Sequence, residues 1–273
     1  MLTITESPSR YNNLEKKSIR EITEYINAED HTVAAAIEKA LGSIQNLIST
    51  IVDKIEKGGR LFYVGAGSGG RLSVLDVIEL PTTYGAEKGL FNAVLAGGIT
   101  KLADALEEKE DDKNAGWEAL CEQGVTSQDI VVGISASGTT PFVLGALENC
   151  KSRNITTGCI VSNPDSPIAS FADFPVEVIT GPEFITGSTR MKCGTAQKMI
   201  FDMISTTTMI RLGRVQGNMM VHVKLINDKI TARAVRMLME VSGIVDYDMA
   251  SDLLQAHGSV KKALDYLQIN AQS

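Results

Sequence analysis

Apolar positions along this chain recur at two periods, and the switch between them lays out the fold. From Val33 to Ile55 they return at three- and four-residue steps, through Ile37, Leu41, Ile44, Leu47, Ile48 and Ile51, before Gly58-Gly59 closes the run. That is the spacing of one helix face. Helix is expected from about Leu14 to Gly58, with a break at the polar stretch Asn27-Ala28-Glu29-Asp30. Beyond it the apolar residues gather into short unbroken runs, read as strands at Leu61–Val64, Leu90–Ala96, Ile130–Ile134, Thr157–Val161 and Val176–Ile179. Helical stretches at Arg71–Ile78, Lys101–Glu110 and Pro141–Cys150 separate most of them. Such alternation predicts an α/β fold, a parallel sheet sandwiched between helices with ligands at the carboxyl ends of the strands. A long apolar helix follows from Thr189 to Leu212, and from about Asn227 three short helical stretches are punctuated by Gly243 and His257-Gly258-Ser259.

The expected organisation is an N-terminal helical segment over residues 1–58, a main domain over 59–222 and a three-helix module over 223–273. The Val33–Ile55 stripe is long for a sheet already covered by its own crossover helices, so a second subunit is expected to take part of it.

Two strand ends carry the chemistry. Leu61–Val64 runs into Gly65-Ala66-Gly67-Ser68-Gly69-Gly70, and Ile130–Ile134 runs into Ser135-Ala136-Ser137-Gly138-Thr139-Thr140-Pro141. Glycines let backbone approach an anion, hydroxyls donate to it, and a following helix N-terminus adds free N–H groups. Both loops read as phosphate-handling, while Ser and Thr ahead of a helix also serve as ordinary caps. Gly65, Gly67 and Gly70 match a dinucleotide fingerprint, but that motif wants an acidic residue about 20 positions on. Here the next strand ends in Gly97-Gly98. The hydroxyls of Ser135, Ser137, Thr139 and Thr140 suit a terminal phosphate better. A third hydroxyl-rich turn, Thr186-Gly187-Ser188-Thr189-Arg190, enters the long helix with cations close behind.

With 273 residues, 44% of them hydrophobic, the chain can bury a large core. Its formal charge of −7 and lack of a Lys/Arg cluster weigh against nucleic acid or an anionic membrane surface as partner. Met1 to Lys17 is polar, and no run approaches the roughly 18 apolar residues that would span a bilayer. A cytoplasmic protein is expected. Cys121, Cys150, Cys159 and Cys193 are too scattered for a metal motif or disulfide scaffold, and His31, His222 and His257 lie far apart. No metal and no cofactor is expected.

The two loops extend into a longer pattern: Gly65–Leu72, Asp76-x-x-Glu79-x-Pro81-x-Thr83-Tyr84-Gly85, Ala96-Gly97-Gly98, Glu110-Asp111-Asp112, Ser162-Asn163-Pro164, Gly181-Pro182-Glu183 and Thr186–Lys198. This set resembles the N-acetylmuramic acid 6-phosphate etherases over nearly the whole chain. The resemblance implies the sugar isomerase fold, a flavodoxin-like three-layer sandwich, and kinship with the glucokinase regulatory protein. It implies a phosphorylated amino sugar as substrate, a homodimer with sites at the subunit boundary, and a lyase that removes the D-lactyl ether. In that pattern Glu110 matches the base that takes the C2 proton and Glu79 the acid that protonates the departing ether oxygen. Gly67, Ser68, Gly69, Ser135, Ser137, Thr139, Thr140, Ser188, Thr189 and Lys192 are the implied substrate contacts. Read without the family, Glu107–Asp112 is a solvated charged face. The chain departs from the usual pattern at Gly69, Ile78, Leu80 and Thr82, which cluster around Glu79. A non-catalytic phosphosugar-binding regulator and a phosphosugar isomerase are the alternatives.

Overall fold

The structure, a computed structural model, describes residues 3–104 and 107–271. Five parallel strands make one sheet: β1 (Leu61–Gly65), β2 (Phe91–Leu95), β3 (Ile130–Ser135), β4 (Thr156–Val161) and β5 (Phe174–Glu177), in the order β2-β1-β3-β4-β5. The register sets Leu61 opposite both Phe91 and Ile130. Strands buried on both faces need apolar residues at every position, which is why their runs in the sequence are unbroken rather than alternating. Phe62 and Val64 face a core completed by Leu120 of α3 (Ala115–Glu122) and by Phe142, Val143 and Leu147 of α4 (Pro141–Ser152). On the other face Tyr63 packs edge-on to Phe201 of α6 (Lys192–Arg211), ring centroids 5.0 Å apart.

The N-terminal stripe belongs to one unbroken helix, α1 (Ile19–Glu56), opened by a capping box between Ser18 and Glu21. The expected break at residues 27–30 does not occur. Glu29 is polar because it sits in a buried ion pair with Lys192, and the helix runs straight through it. The stripe is also not left for another subunit: Val33, Ile37, Ile44, Leu47 and Ile51 are all buried within the chain. Leu47 Cδ1 comes within 2.6 Å of where a Cβ on Gly158 of β4 would stand, so α1 packs directly against the backbone of the strand there.

Three further elements differ from expectation. Helix α2 (Gly67–Thr83) starts inside the glycine loop and continues past Ile78, carrying Pro81 within its last turn. The strand at 176–179 begins earlier, at Phe174, and ends at Glu177. The helix at Lys101–Glu110 is replaced by short 3-10 turns at Ile99–Lys101 and Glu107–Lys109, with residues 105–106 outside the described set. Arg71 explains part of this, because its guanidinium takes the carbonyls of Leu102 (3.3 Å) and Asp104 (3.0 Å) that a helix would use internally. Helix α3 and the short α5 (Pro167–Ser170) were not expected.

The chain divides into two compact units. The first, residues 1–77 and 89–204, holds the sheet and α1. The second, residues 78–88 and 205–273, holds α7 (Asp228–Ser242), α8 (Tyr247–His257) and α9 (Val260–Ala271). Val235, Leu238, Leu254 and Val260 form its core, and Gly243 and Gly258 end α7 and α8 in left-handed conformations. No described helix is long and apolar enough to cross a membrane.

Candidate functional site

The strand order reverses between β1 and β3: the chain goes outward from β1 to β2 on one side and from β3 to β4 and β5 on the other. Open parallel sheets bind ligands at the carboxyl ends of the strands flanking such a switch. Both glycine/hydroxyl loops leave the sheet there. Within the first unit a cleft of about 360 Å³ is lined by Gly67, Ser68, Gly69, Glu110, Ser135, Ser137, Thr140, Ser188 and Thr189 among others. Nine of the residues named from sequence therefore meet in one place.

Each loop owes its shape to its residue types. Gly67 has φ +52°, and a Cβ there would lie 2.9 Å from Oε1 of Glu110, so the glycine makes room for a carboxylate. A Cβ on Gly69 would meet Gln197 Oε1 at 2.9 Å, so the missing side chain leaves space that Gln197 occupies. In the second loop Ser135 Oγ accepts from the N–H of Gly138 at 3.0 Å and pairs with Thr140 Oγ1 at 2.8 Å. Ser137 Oγ accepts from the N–H and hydroxyl of Thr139 at 3.2 and 3.0 Å. The hydroxyls thus hold one another in a fixed array. The first turn of α2 and the N-cap of α4, Thr140, both face the cleft, directing positive helix ends at it.

The third loop is fixed from behind. Glu183, 1% exposed, accepts the backbone N–H groups of Lys192 and Cys193, both at 2.9 Å, neutralising the open end of α6. Lys192 itself is not a cleft residue. Its ammonium, 1% exposed, donates to Glu29 Oε2 at 2.5 Å and makes a buried ion pair. Burial would raise the Glu29 carboxyl, but the hydrogen bond and charge of Lys192 outweigh it, leaving that carboxyl below its ordinary range. The anchored helix end is what presents Ser188, Thr189 and Arg190 to the cleft.

Thr139 is exposed and is not a lining residue; its hydroxyl is used on Ser137. Glu79 stands exposed on α2 within the second unit and is likewise absent from the lining. Glu110 follows the 3-10 turn at Glu107–Lys109, and its carbonyl accepts the N–H of Phe142 at the start of α4. The acidic run beyond it is structural, since Asp112 Oδ1 caps the N–H groups of Asn114 and Ala115. The lining also includes Glu6, Arg71 and Gln197, which sequence reasoning had not placed there. Gln197 lies in the second turn of α6, the helix that the third hydroxyl-rich loop introduces, a position that could have flagged it; Glu6 carried no such signal. Among the described residues no group of His, Cys, Asp and Glu is arranged to hold a metal.

Comparison with known proteins places the chain as a whole. The family model of the glucokinase regulatory protein N-terminal SIS domain matches residues 43–151, and that of the SIS domain matches residues 122–207. An N-acetylmuramic acid 6-phosphate etherase of Bacteroides thetaiotaomicron is 53% identical over 97% of this chain and 95% of its own length. One of Porphyromonas gingivalis is 52% identical over 97% and 96%, and one of Clostridioides difficile 45% identical over 92% and 83%. Among solved structures, a phosphoheptose isomerase of Neisseria gonorrhoeae superposes with TM-score 0.53 at 17% identity, over 70% of this chain and 98% of that one. A phosphoheptose isomerase of Francisella tularensis gives 0.52 at 16% identity, over 73% and 100%. The structural likenesses carry the sheet and its switch point, the sequence identities carry the rest, and together they show that the chain belongs to the N-acetylmuramic acid 6-phosphate etherase family of SIS-fold proteins.

Proposed function

We infer that this protein is an N-acetylmuramic acid 6-phosphate etherase, a carbon–oxygen lyase that cleaves the D-lactyl ether to give N-acetylglucosamine 6-phosphate and D-lactate. The observation that carries the reading is the Glu110 carboxylate set against the Gly67 turn, in the same cleft as the Ser135-Ser137-Thr140 hydroxyl array. The hydroxyls and helix ends suit the 6-phosphate, and the carboxylate is in reach of whatever that anchor holds. With the sugar ring open, the C1 aldehyde makes the C2 proton acidic. Glu110 is assigned the base that removes it, and Glu79 the acid that protonates the departing ether oxygen, after which water adds at C3. General acid–base chemistry of this kind needs no more than two such groups. Ser68, Gly69, Ser188 and Thr189 complete the assigned contacts, with Thr139 and Lys192 acting behind Ser137 and the third loop.

The working unit is proposed to be a homodimer with sites at the subunit boundary. The face that supports it lies on α2 rather than α1: Leu75 and Ile78 are 44% and 55% exposed, and Glu79 follows on the same side of the helix. Apolar residues at that spacing beside a carboxylate form a face suited to another protein surface. Buried, unpaired Cys150, Cys159 and Cys193 accord with a reducing cytoplasm.

The test is D-lactate release by the purified protein from N-acetylmuramic acid 6-phosphate and from its unphosphorylated counterpart. Release from the first with little from the second is expected, because remote phosphate binding orients the reacting centre. Binding without any release would favour a non-catalytic regulator.

A further inference from the structure

Glu6 is a cleft residue that the etherase chemistry leaves unused, and the one of these that is a carboxylate. It is carried by an N-terminal strap, residues 3–17, which has 3-10 turns at Ile4–Glu6 and Leu14–Lys16 and is otherwise irregular. The strap is latched at both loops that flank it. Toward the second loop, Asn163, 3% exposed, accepts the N–H of Thr5 at 3.2 Å and donates both to Thr5 Oγ1 and to the carbonyl of Ser137, each at 2.9 Å. Toward the third loop, Ser9 takes Thr186 Oγ1 with its N–H at 2.9 Å and donates its hydroxyl to Phe184 O at 2.7 Å. Tyr11 then stacks on Tyr25 and packs at a tilt against Phe184. Thr5 is fully buried, so the segment is part of the fold rather than a loose end.

Between the two latches the Glu6 side chain enters the cleft lining. Gly187, at φ +73°, yields to it: a Cβ there would stand 3.2 Å from Glu6 Oε2. Among the described residues the Glu6 carboxylate makes no hydrogen bond or ion pair. A negative charge without a partner works against an anion held in the same cleft, so capturing phosphate does not account for it. What a carboxylate accepts is a hydroxyl or amide hydrogen. A phosphosugar offers both, away from its phosphate.

We propose that Glu6 is a specificity-determining residue of the cleft: it accepts a hydrogen bond from an uncharged donor of the sugar, a ring hydroxyl or the N-acetyl N–H, and keeps the phosphate at the opposite, hydroxyl-lined loop. The strap is the wall that aims it. The inference rests on the cleft taking a sugar phosphate, and its test does not depend on turnover. Calorimetric titration of wild type and Glu6→Gln with N-acetylglucosamine 6-phosphate and, separately, with inorganic phosphate measures each half of the claim. Glu6→Gln is expected to weaken the sugar phosphate about 10- to 100-fold, the scale of one hydrogen bond to a charged group. Inorganic phosphate should bind unchanged or more tightly. Equal weakening of both ligands, weakening of phosphate alone, or no change in either overturns the proposal. If wild type binds the sugar phosphate with this contrast yet releases no D-lactate from the muramic acid phosphate, the reaction assigned above fails and the role of Glu6 stands.

Discussion

Gly67→Ala tests the link between loop geometry and chemistry. The backbone at φ +52° is left-handed, which costs a residue with a Cβ about 1–2 kcal/mol. For a chain of this size that lowers the melting temperature by roughly 2–8 °C. The new methyl would start 2.9 Å from Glu110 Oε1, inside ordinary contact distance, and the carboxylate is the end of a flexible side chain, so it moves rather than the backbone. The folding cost is therefore close to the backbone cost alone, while a displaced base loses turnover steeply, about 100-fold for a misplacement near 1 Å. A fall in kcat of about 10- to 100-fold is expected. Gly58→Ala is the control, because Gly58 has φ +86° with nothing within 4 Å of a Cβ; it should melt lower and keep full turnover. D-lactate production at saturating sugar phosphate and scanning calorimetry on both variants decide the matter. A Gly67→Ala protein with wild-type kcat and the thermal loss of Gly58→Ala would refute the placement of Glu110 as a working group.

Glu29→Gln strands the buried Lys192 ammonium and should cost about 3–5 kcal/mol, with the double change Glu29→Met, Lys192→Met less damaging than either single loss; thermal unfolding of the three variants checks this. Because the folded-state carboxyl of Glu29 lies below its ordinary 4.5, its contribution is complete above that pH and disappears as pH falls through the lower folded value. Acid unfolding followed by circular dichroism should therefore begin at higher pH in Glu29→Gln than in wild type. Light scattering at micromolar concentration should report twice the 29.3 kDa chain mass, and Leu75→Lys with Ile78→Lys should return the single-chain value; a wild-type mass of one chain with full activity would remove the dimer.

The parts of this protein legible in its sequence are those where local chemistry and tertiary role coincide. β1 and β3 announce themselves because doubly buried strands must be apolar throughout, and the loops after them because close backbone approach demands glycine and a hydroxyl array demands serine and threonine. Elsewhere a local signal had a distant cause. Glu29 mimicked a helix break because its partner lies 163 positions away in sequence. Lys192 matched a substrate contact of the family pattern, yet its side chain points back to α1. Residues 101–110 looked helical, but Arg71 claims the carbonyls of Leu102 and Asp104. Glu6 sits on an irregular strap without periodicity, and only the latches at Asn163 and Ser9 bring it to the cleft.

Whether Glu110 is the base of an elimination in this cleft is decided by incubating the muramic acid phosphate with Glu110→Gln and Glu79→Gln proteins in deuterium oxide while following C2 exchange and D-lactate together. Both variants should fold, each should lose about 100-fold or more in turnover, and exchange at C2 should survive in Glu79→Gln but not in Glu110→Gln. Undiminished exchange and D-lactate release by Glu110→Gln would contradict that role.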